Sequence, residues 1–152
     1  MRFTTKTEYG LICLIYMAKN AELHPVRVKD IVKGERYSMT YVEKIMQKLR
    51  SARIVSGQQG NHGGYVLSRP PAEITLREIV EALEGQTFDV FCEPKTRQEI
   101  VCNHFPICGV RPVWEKTKDL LDHFFNSITL EMLAKNPSAI QGKSDPVPAG
   151  KP

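Results

Sequence analysis

The stretch SMTYVEKIMQKLRSARIVSGQQGNHGGYVL, residues 38–67, changes its periodicity once, and that change decides the fold. Val42, Ile45, Met46 and Leu49 recur at helical spacing and form one apolar face. Ser38 or Thr40 is placed to open this helix, and Tyr41, Lys44, Gln47 and Lys48 lie on its other faces. Beyond residue 53 the helical spacing stops. Ile54, Val55 and Ser56 read as a strand, Tyr65, Val66 and Leu67 as its partner, and Gly57 through Gly64 as a glycine-rich turn. Glycines around Asn61 and His62 permit positive φ angles and a close approach to a phosphate backbone, which a bulky turn would obstruct. A polar-faced helix running into such a hairpin reads as the second half of a winged helix-turn-helix.

Working outward, the flanking segments complete that unit. Val28, Ile31 and Val32 mark a short helix after a Pro25 turn, ending near Gly34, so two helices with a short turn precede the hairpin. Upstream, Tyr9, Ile12, Cys13, Tyr16 and Met17 trace a first helix to about Asn20, with Thr5 and Glu8 spaced as a capping box. Cys13 lies in an apolar run and reads as core. Downstream, Thr75 and Glu78 form a second capping-box match, ahead of Ile79, Val80 and Leu83, in a fourth helix that ends at Gly85. From about Pro112 to Ala134 a long helix is predicted. Its stripe of Val113, Trp114, Leu120, Leu121, Phe124, Phe125, Ile128 and Met132 is too wide for a solitary surface helix and calls for a symmetry mate. The fold class is therefore mainly α with a small β-hairpin. A winged helix-turn-helix unit spans 1–86, a cysteine loop 87–111, a dimerisation helix 112–135 and an aperiodic, disordered tail 136–152.

Composition narrows the function. At 152 residues and 41% hydrophobic content the chain buries one modest core. No apolar run approaches the roughly 18 to 20 residues that span a bilayer, and the start MRFTTKTEYGL lacks the apolar centre of a secretory signal, so a cytoplasmic protein without a membrane partner is expected. The net charge of +4 is unevenly spread: residues 1–69 carry 12 Lys/Arg against 5 Asp/Glu, whereas residues 70–109 carry 3 against 7. A polyanion partner belongs on the first half.

Three of the four cysteines, Cys92, Cys102 and Cys108, share the loop, with nine and then five residues between them. In a reducing compartment clustered thiols bind metal or do redox chemistry more often than they form structural disulfides. Thiolates suit iron-sulfur clusters and zinc alike, and the loop has no CxxC pair to single out zinc. Residue types alone leave three readings open: a cluster, a zinc ion, or unliganded redox-active thiols. They also leave open two kinds of protein: a DNA-binding sensor with no enzymatic activity, or a redox or electron-transfer protein whose basic half docks an acidic partner.

The whole order resembles the superfamily of winged-helix repressors that includes IscR and NsrR, over about residues 1 to 135. The resemblance is carried by Met1-Arg2-Phe3-Thr4 with Thr7 to Leu11, by Tyr41-Val42-Glu43-Lys44, by Gly63-Gly64-Tyr65-Val66-Leu67, and by Cys108-Gly109-Val110-Arg111-Pro112-Val113-Trp114. It implies a homodimer on a palindromic double-stranded DNA operator, repressing transcription, with one iron-sulfur cluster per subunit that senses redox state, nitric oxide or iron supply. The implied cluster ligands are Cys92, Cys102 and Cys108. The first spacing is wider than the family commonly has, and the histidine that completes the cluster in the IscR branch is absent, since Gly109, Val110 and Arg111 follow the third cysteine. The fourth ligand implied by the NsrR branch is Glu8 of the other subunit, with His104 as the second choice. Nuclearity stays open between 4Fe-4S, which a carboxylate ligand resembles, and the 2Fe-2S of the IscR branch.

On the DNA side, the third helix is expected in the major groove, its N-terminal residues nearest the bases. Ser38, Thr40 and Tyr41 are candidate base contacts, while Lys44 and Lys48, with Arg2 and Arg50, are candidate phosphate contacts. Glu43 matches a family position of sequence discrimination and is able to accept from cytosine N4, although Thr40 and Glu43 also have capping-box spacing. At the wing tip, where relatives often carry a minor-groove arginine, this chain has Gln59, with Asn61 and His62 nearby as further candidate DNA contacts.

Overall fold

The computed structural model describes residues 4–20, 25–33, 37–60, 63–86 and 107–135. Helix α1 (Thr5–Asn20) buries Gly10, Cys13, Leu14 and Met17, and α2 (Val28–Val32) buries Ile31. Helix α3 (Met39–Ser51) buries Val42, Ile45, Met46 and Leu49, the four positions that its spacing predicts. At its end the Ile54 amide donates to the Leu49 carbonyl at 2.9 Å, which turns the chain into the hairpin.

Strands β1 (Val55–Gln58) and β2 (Gly64–Leu67) pair antiparallel, with Val55 opposite Leu67 and Gln58 opposite Gly64. The first strand thus begins one residue later than the sequence suggests and runs two residues further. Gly57, Gln58 and Gly64 therefore belong to the ladder and not to the turn. A single-turn 3-10 segment (Pro71–Glu73) leads into α4 (Leu76–Glu84). The capping box at Thr75 is formed: the Glu78 amide donates to Thr75 Oγ1 at 3.3 Å and the Thr75 amide to Glu78 Oε2 at 2.9 Å.

Two expectations are corrected. Helix α1 is capped by Thr4, not Thr5, since the Lys6 amide donates to Thr4 Oγ1 (3.3 Å) and the Thr7 amide to the Thr4 carbonyl (3.0 Å). Thr5 is already inside the helix, so Glu8 takes no part in a capping box. The long C-terminal helix is also two helices, α5 (Arg111–Ser127) and α6 (Leu130–Lys135). Its break is imposed from a distance: the Leu76 amide donates to the Ile128 carbonyl and the Leu130 amide to the Ile74 carbonyl, both at 2.8 Å. Ile74, Ile128 and Leu130 are fully buried at this junction, and the two backbone bonds hold Ile128 and Thr129 extended where apolar periodicity alone would continue the helix. Helix α6 then packs back on α1.

The core lies where α1, α3 and α4 meet, around Leu14, Ile45, Leu49, Ile79 and Leu83. Gly10 lets α1 and α4 approach, since a Cβ there would overlap Leu83 Cδ1. Cys13 is fully buried in the same core. The tail from 136 lies outside the described residues.

Candidate nucleic-acid interface

With its apolar face consumed by the core, α3 leaves Thr40, Glu43, Lys44 and Gln47 exposed along one side. Ser38 occupies the N-cap position but makes no capping bond, so its hydroxyl stays exposed at the helix entrance. Thr40 lies within the first turn, which removes the capping role considered for Glu43 and leaves that carboxylate on the surface. Gln47, not singled out from the sequence, sits at the centre of this face. Its register, seven residues after Thr40 and three after Lys44, is the signal that marks it.

The flanks of the face are held by side chains. Tyr41 is half-buried; its ring meets Tyr9 edge-on at 5.6 Å and its hydroxyl lies 3.3 Å from Thr5 Oγ1, while Tyr37 stacks on Tyr9 at 4.0 Å. This aromatic group fastens the first turn of α3 to the start of α1. Lys48 Nζ donates to the Leu83 carbonyl at 3.2 Å, so its ammonium leans toward the end of α4. Lys44, Gln47, Lys48 and Ser51 line an open groove of about 620 Å³ together with Ala52 and Ala82, whose small side chains let a sugar-phosphate chain come close. On the opposite flank Arg50 lies along the hairpin, its guanidinium 3.8 Å from where a Gly57 Cβ would be.

The wing is seated by close backbone contact. Val26 and Tyr65 exchange two backbone hydrogen bonds, both 2.8 Å, and a Cβ on Gly64 would lie 2.6 Å from the Val26 carbonyl oxygen. Gly63 is equally confined, by the Gln58 carbonyl oxygen at 2.6 Å. Of the turn glycines only Gly60, at φ +123°, uses the positive-φ freedom expected of them. Gln59 is exposed beside it. Arg2, Asn61 and His62 lie outside the described residues.

A charged cluster ties α1 to α4. Glu84 accepts from the Thr4 amide (3.0 Å), from Thr4 Oγ1 and from Thr7 Oγ1 (2.8 Å), and pairs with Lys6 at 3.1 Å. Burial pushes this carboxyl up, but the hydrogen bonds from Thr4, Thr7 and Lys6 outweigh it and hold it at about 2. Helix α5 is fixed to α4 by Asp122, which pairs with Arg77 (3.4 Å) and Lys118 (3.3 Å), and by buried Phe125. Its other side carries Val113, Leu120 and Phe124, exposed by 55, 61 and 43%.

Of the proposed cluster ligands, Cys108 and Glu8 fall in the described residues; Cys92, Cys102 and His104 lie outside them. Cys108 is a half-buried free thiol just before α5. Glu8 is exposed on α1 at the rim of an apolar cleft of about 250 Å³ between α1, α4 and α5, and it forms no hydrogen bond or ion pair among the described residues. Among those residues no three His, Cys, Asp or Glu side chains converge on a metal position, and no helix is long and apolar enough to cross a membrane.

Comparison with known proteins agrees with this architecture. The family model described as "Rrf2: Iron-dependent Transcriptional regulator" matches residues 3–136. The protein Rrf2 of Nitratidesulfovibrio vulgaris is 30% identical over 138 residues, covering 91% of this chain and 90% of its own. The regulator IscR of Escherichia coli is 30% identical over 136 residues, covering 90% of this chain and 82% of its own. Among solved structures, CymR, the global cysteine regulator of B. subtilis, superposes with a TM-score of 0.72 at 32% identity, covering 88% of this chain and 96% of its own. IscR of T. potens does so with a TM-score of 0.69 at 27% identity, covering 95 and 93%.

Proposed function

Because the chain belongs to the Rrf2 family of winged-helix transcriptional regulators, we propose that it is a cytoplasmic homodimeric repressor that reads a palindromic operator with α3 and the wing and holds an iron-sulfur cluster as its sensor. The observation that carries the DNA-reading part is the exposed face of Thr40, Glu43, Lys44 and Gln47, bounded by the glycine-seated wing on one flank and the Lys44–Lys48 groove on the other. Thr40, Glu43 and Gln47 address base edges, and Lys44, Lys48 and Arg50 address phosphates, fixing register without reading sequence.

The two described members of the proposed ligand set fit such a cluster chemically. Cys108 is an unpaired thiol, and Glu8, relieved of the capping role, offers an uncommitted carboxylate. Cys92 and Cys102 would complete the thiolate set, with Glu8 from the partner subunit or else His104 as the fourth ligand. When bound, the cluster supplies a redox- and nitric-oxide-reactive centre. The chain's own part is mechanical: Glu8 stands one residue before Tyr9, whose ring contacts Tyr37 and Tyr41, so a pull on α1 reaches the first turn of α3.

Anaerobically purified protein is expected to be coloured, to contain iron and sulfide, and to bind its operator with different affinity loaded and apo, with a steep salt dependence in both states. Glu8→Ala or His104→Ala, whichever removes the fourth ligand, bleaches the absorption. Colourless protein, or equal affinity of both forms for every duplex, overturns the sensing. A second reading, thiol sensing without a cluster, is favoured by the likeness to the global cysteine regulator; colourless protein with three reactive thiols places it first.

The homodimer rests on α5, where Val113, Leu120 and Phe124 form an apolar face that a second copy would cover. Leu120→Asp is expected to weaken self-association at least about tenfold, the weight of losing one buried leucine, as read by sedimentation. An unchanged dimer would remove α5 from the interface.

A further inference from the structure

Met39 opens α3 and is 47% exposed. Among the described residues every other large apolar side chain of comparable exposure lies on α1, on α5 or in the turn leading into α5. Met39 is the exception, alone on the reading head beside the polar, exposed Ser38, Thr40 and Glu43. The exposed thioether gains nothing from water, and the surface it stands on is the DNA-reading face proposed above. In the major groove a duplex presents one apolar group to a side chain, the C5-methyl of thymine. The first turn of a reading helix is also where its base contacts concentrate. Met39 and Glu43 are four residues apart and therefore stacked one turn above the other, about 6 Å between their Cβ atoms. At about 3.4 Å per base pair, they address positions one or two base pairs apart. Methionine is unbranched and polarizable, suited to packing on a small methyl group without demanding one rotamer.

We infer that Met39 is a specificity-determining residue that packs on the methyl group of one thymine in each half-site, one or two base pairs from the base read by Glu43. This rests on the DNA-reading face proposed above. Full-length protein is used to select an operator from a random duplex pool, and each thymine is then replaced singly by deoxyuridine, which removes only the methyl group. At one thymine per half-site the replacement weakens wild-type binding about fourfold, the weight of one buried methyl group. In Met39→Ala the same replacement changes affinity by less than about 1.5-fold, while Met39→Leu keeps most of the wild-type discrimination. Both variants keep the wild-type thermal midpoint, because the side chain is half in solvent. An operator with no methyl-sensitive thymine, or a sensitivity that Met39→Ala leaves intact, overturns the contact and spares the DNA-reading function. A pool that yields no enriched sequence overturns both.

Discussion

Gly64→Ala lowers the unfolding free energy by about 3 kcal/mol and removes operator binding at concentrations where the wild type saturates. The added Cβ would come 2.6 Å from the Val26 carbonyl oxygen and 2.9 Å from its carbon, and both are backbone atoms that cannot swing aside as a side chain would. Relief requires β2 to lift away from Val26, which breaks the two 2.8 Å bonds between Val26 and Tyr65. Overpacking costs about 1–3 kcal/mol and each stranded buried amide or carbonyl about another 1. For a chain of this size the thermal midpoint should fall by about 10 °C. Gly60→Ala is the matched control: Gly60 has φ +123° and nothing within 4 Å of its Cβ position, so it incurs only local backbone strain, about 1 kcal/mol, at the tip of the turn. A Gly64→Ala protein that melts with the wild type would mean the wing is not seated on Val26.

Glu84→Gln removes an acid-labile contribution to stability of about 3 kcal/mol at the α1–α4 contact. The carboxyl titrates at about 2 in the folded protein against an ordinary 4.5, and its side chain is only 12% exposed. A folded-state value below the unfolded one means that the group stabilises the fold fully above about pH 4.5 and loses that contribution as pH falls toward 2; the difference corresponds to about 3 kcal/mol. Urea titrations between pH 2 and 7 should show wild-type stability dropping by about that amount over this window, with the Glu84→Gln curve flatter and lower at neutral pH. Parallel curves for the two proteins would show that the Thr4, Thr7 and Lys6 contacts do not favour the ionised form.

Elements decided within a few residues were legible in the sequence; those decided across the chain were not. The Thr75–Glu78 capping box needs only a three-residue spacing, and it forms as expected. The buried face of α3 needs only helical periodicity. The cap of α1 was displaced by one residue because Glu84, 80 residues away, binds Thr4 and draws it into the capping position. The break between α5 and α6 was invisible for the same reason, since Ile128 continues an apolar stripe and only pairing with Ile74 and Leu76 interrupts it. The sequence suggests that Gly63 and Gly64 permit a positive φ, whereas in the structure they matter for the Cβ they lack. Met39 is not legible in the sequence as a surface residue, because an apolar side chain at the start of an amphipathic helix carries no mark of its exposure.

The clasp of Ile128 and Leu130 on Leu76 and Ile74 closes a long excursion of the chain. Chain that leaves the end of α4 at Glu84 is brought back against the beginning of the same helix, so the excursion through the cysteine loop and α5 is closed at both ends by the core. The connection between α4 and α5 is 26 residues long (85–110). Both ends of the excursion are thus anchored on the winged core, at the two termini of one helix, α4.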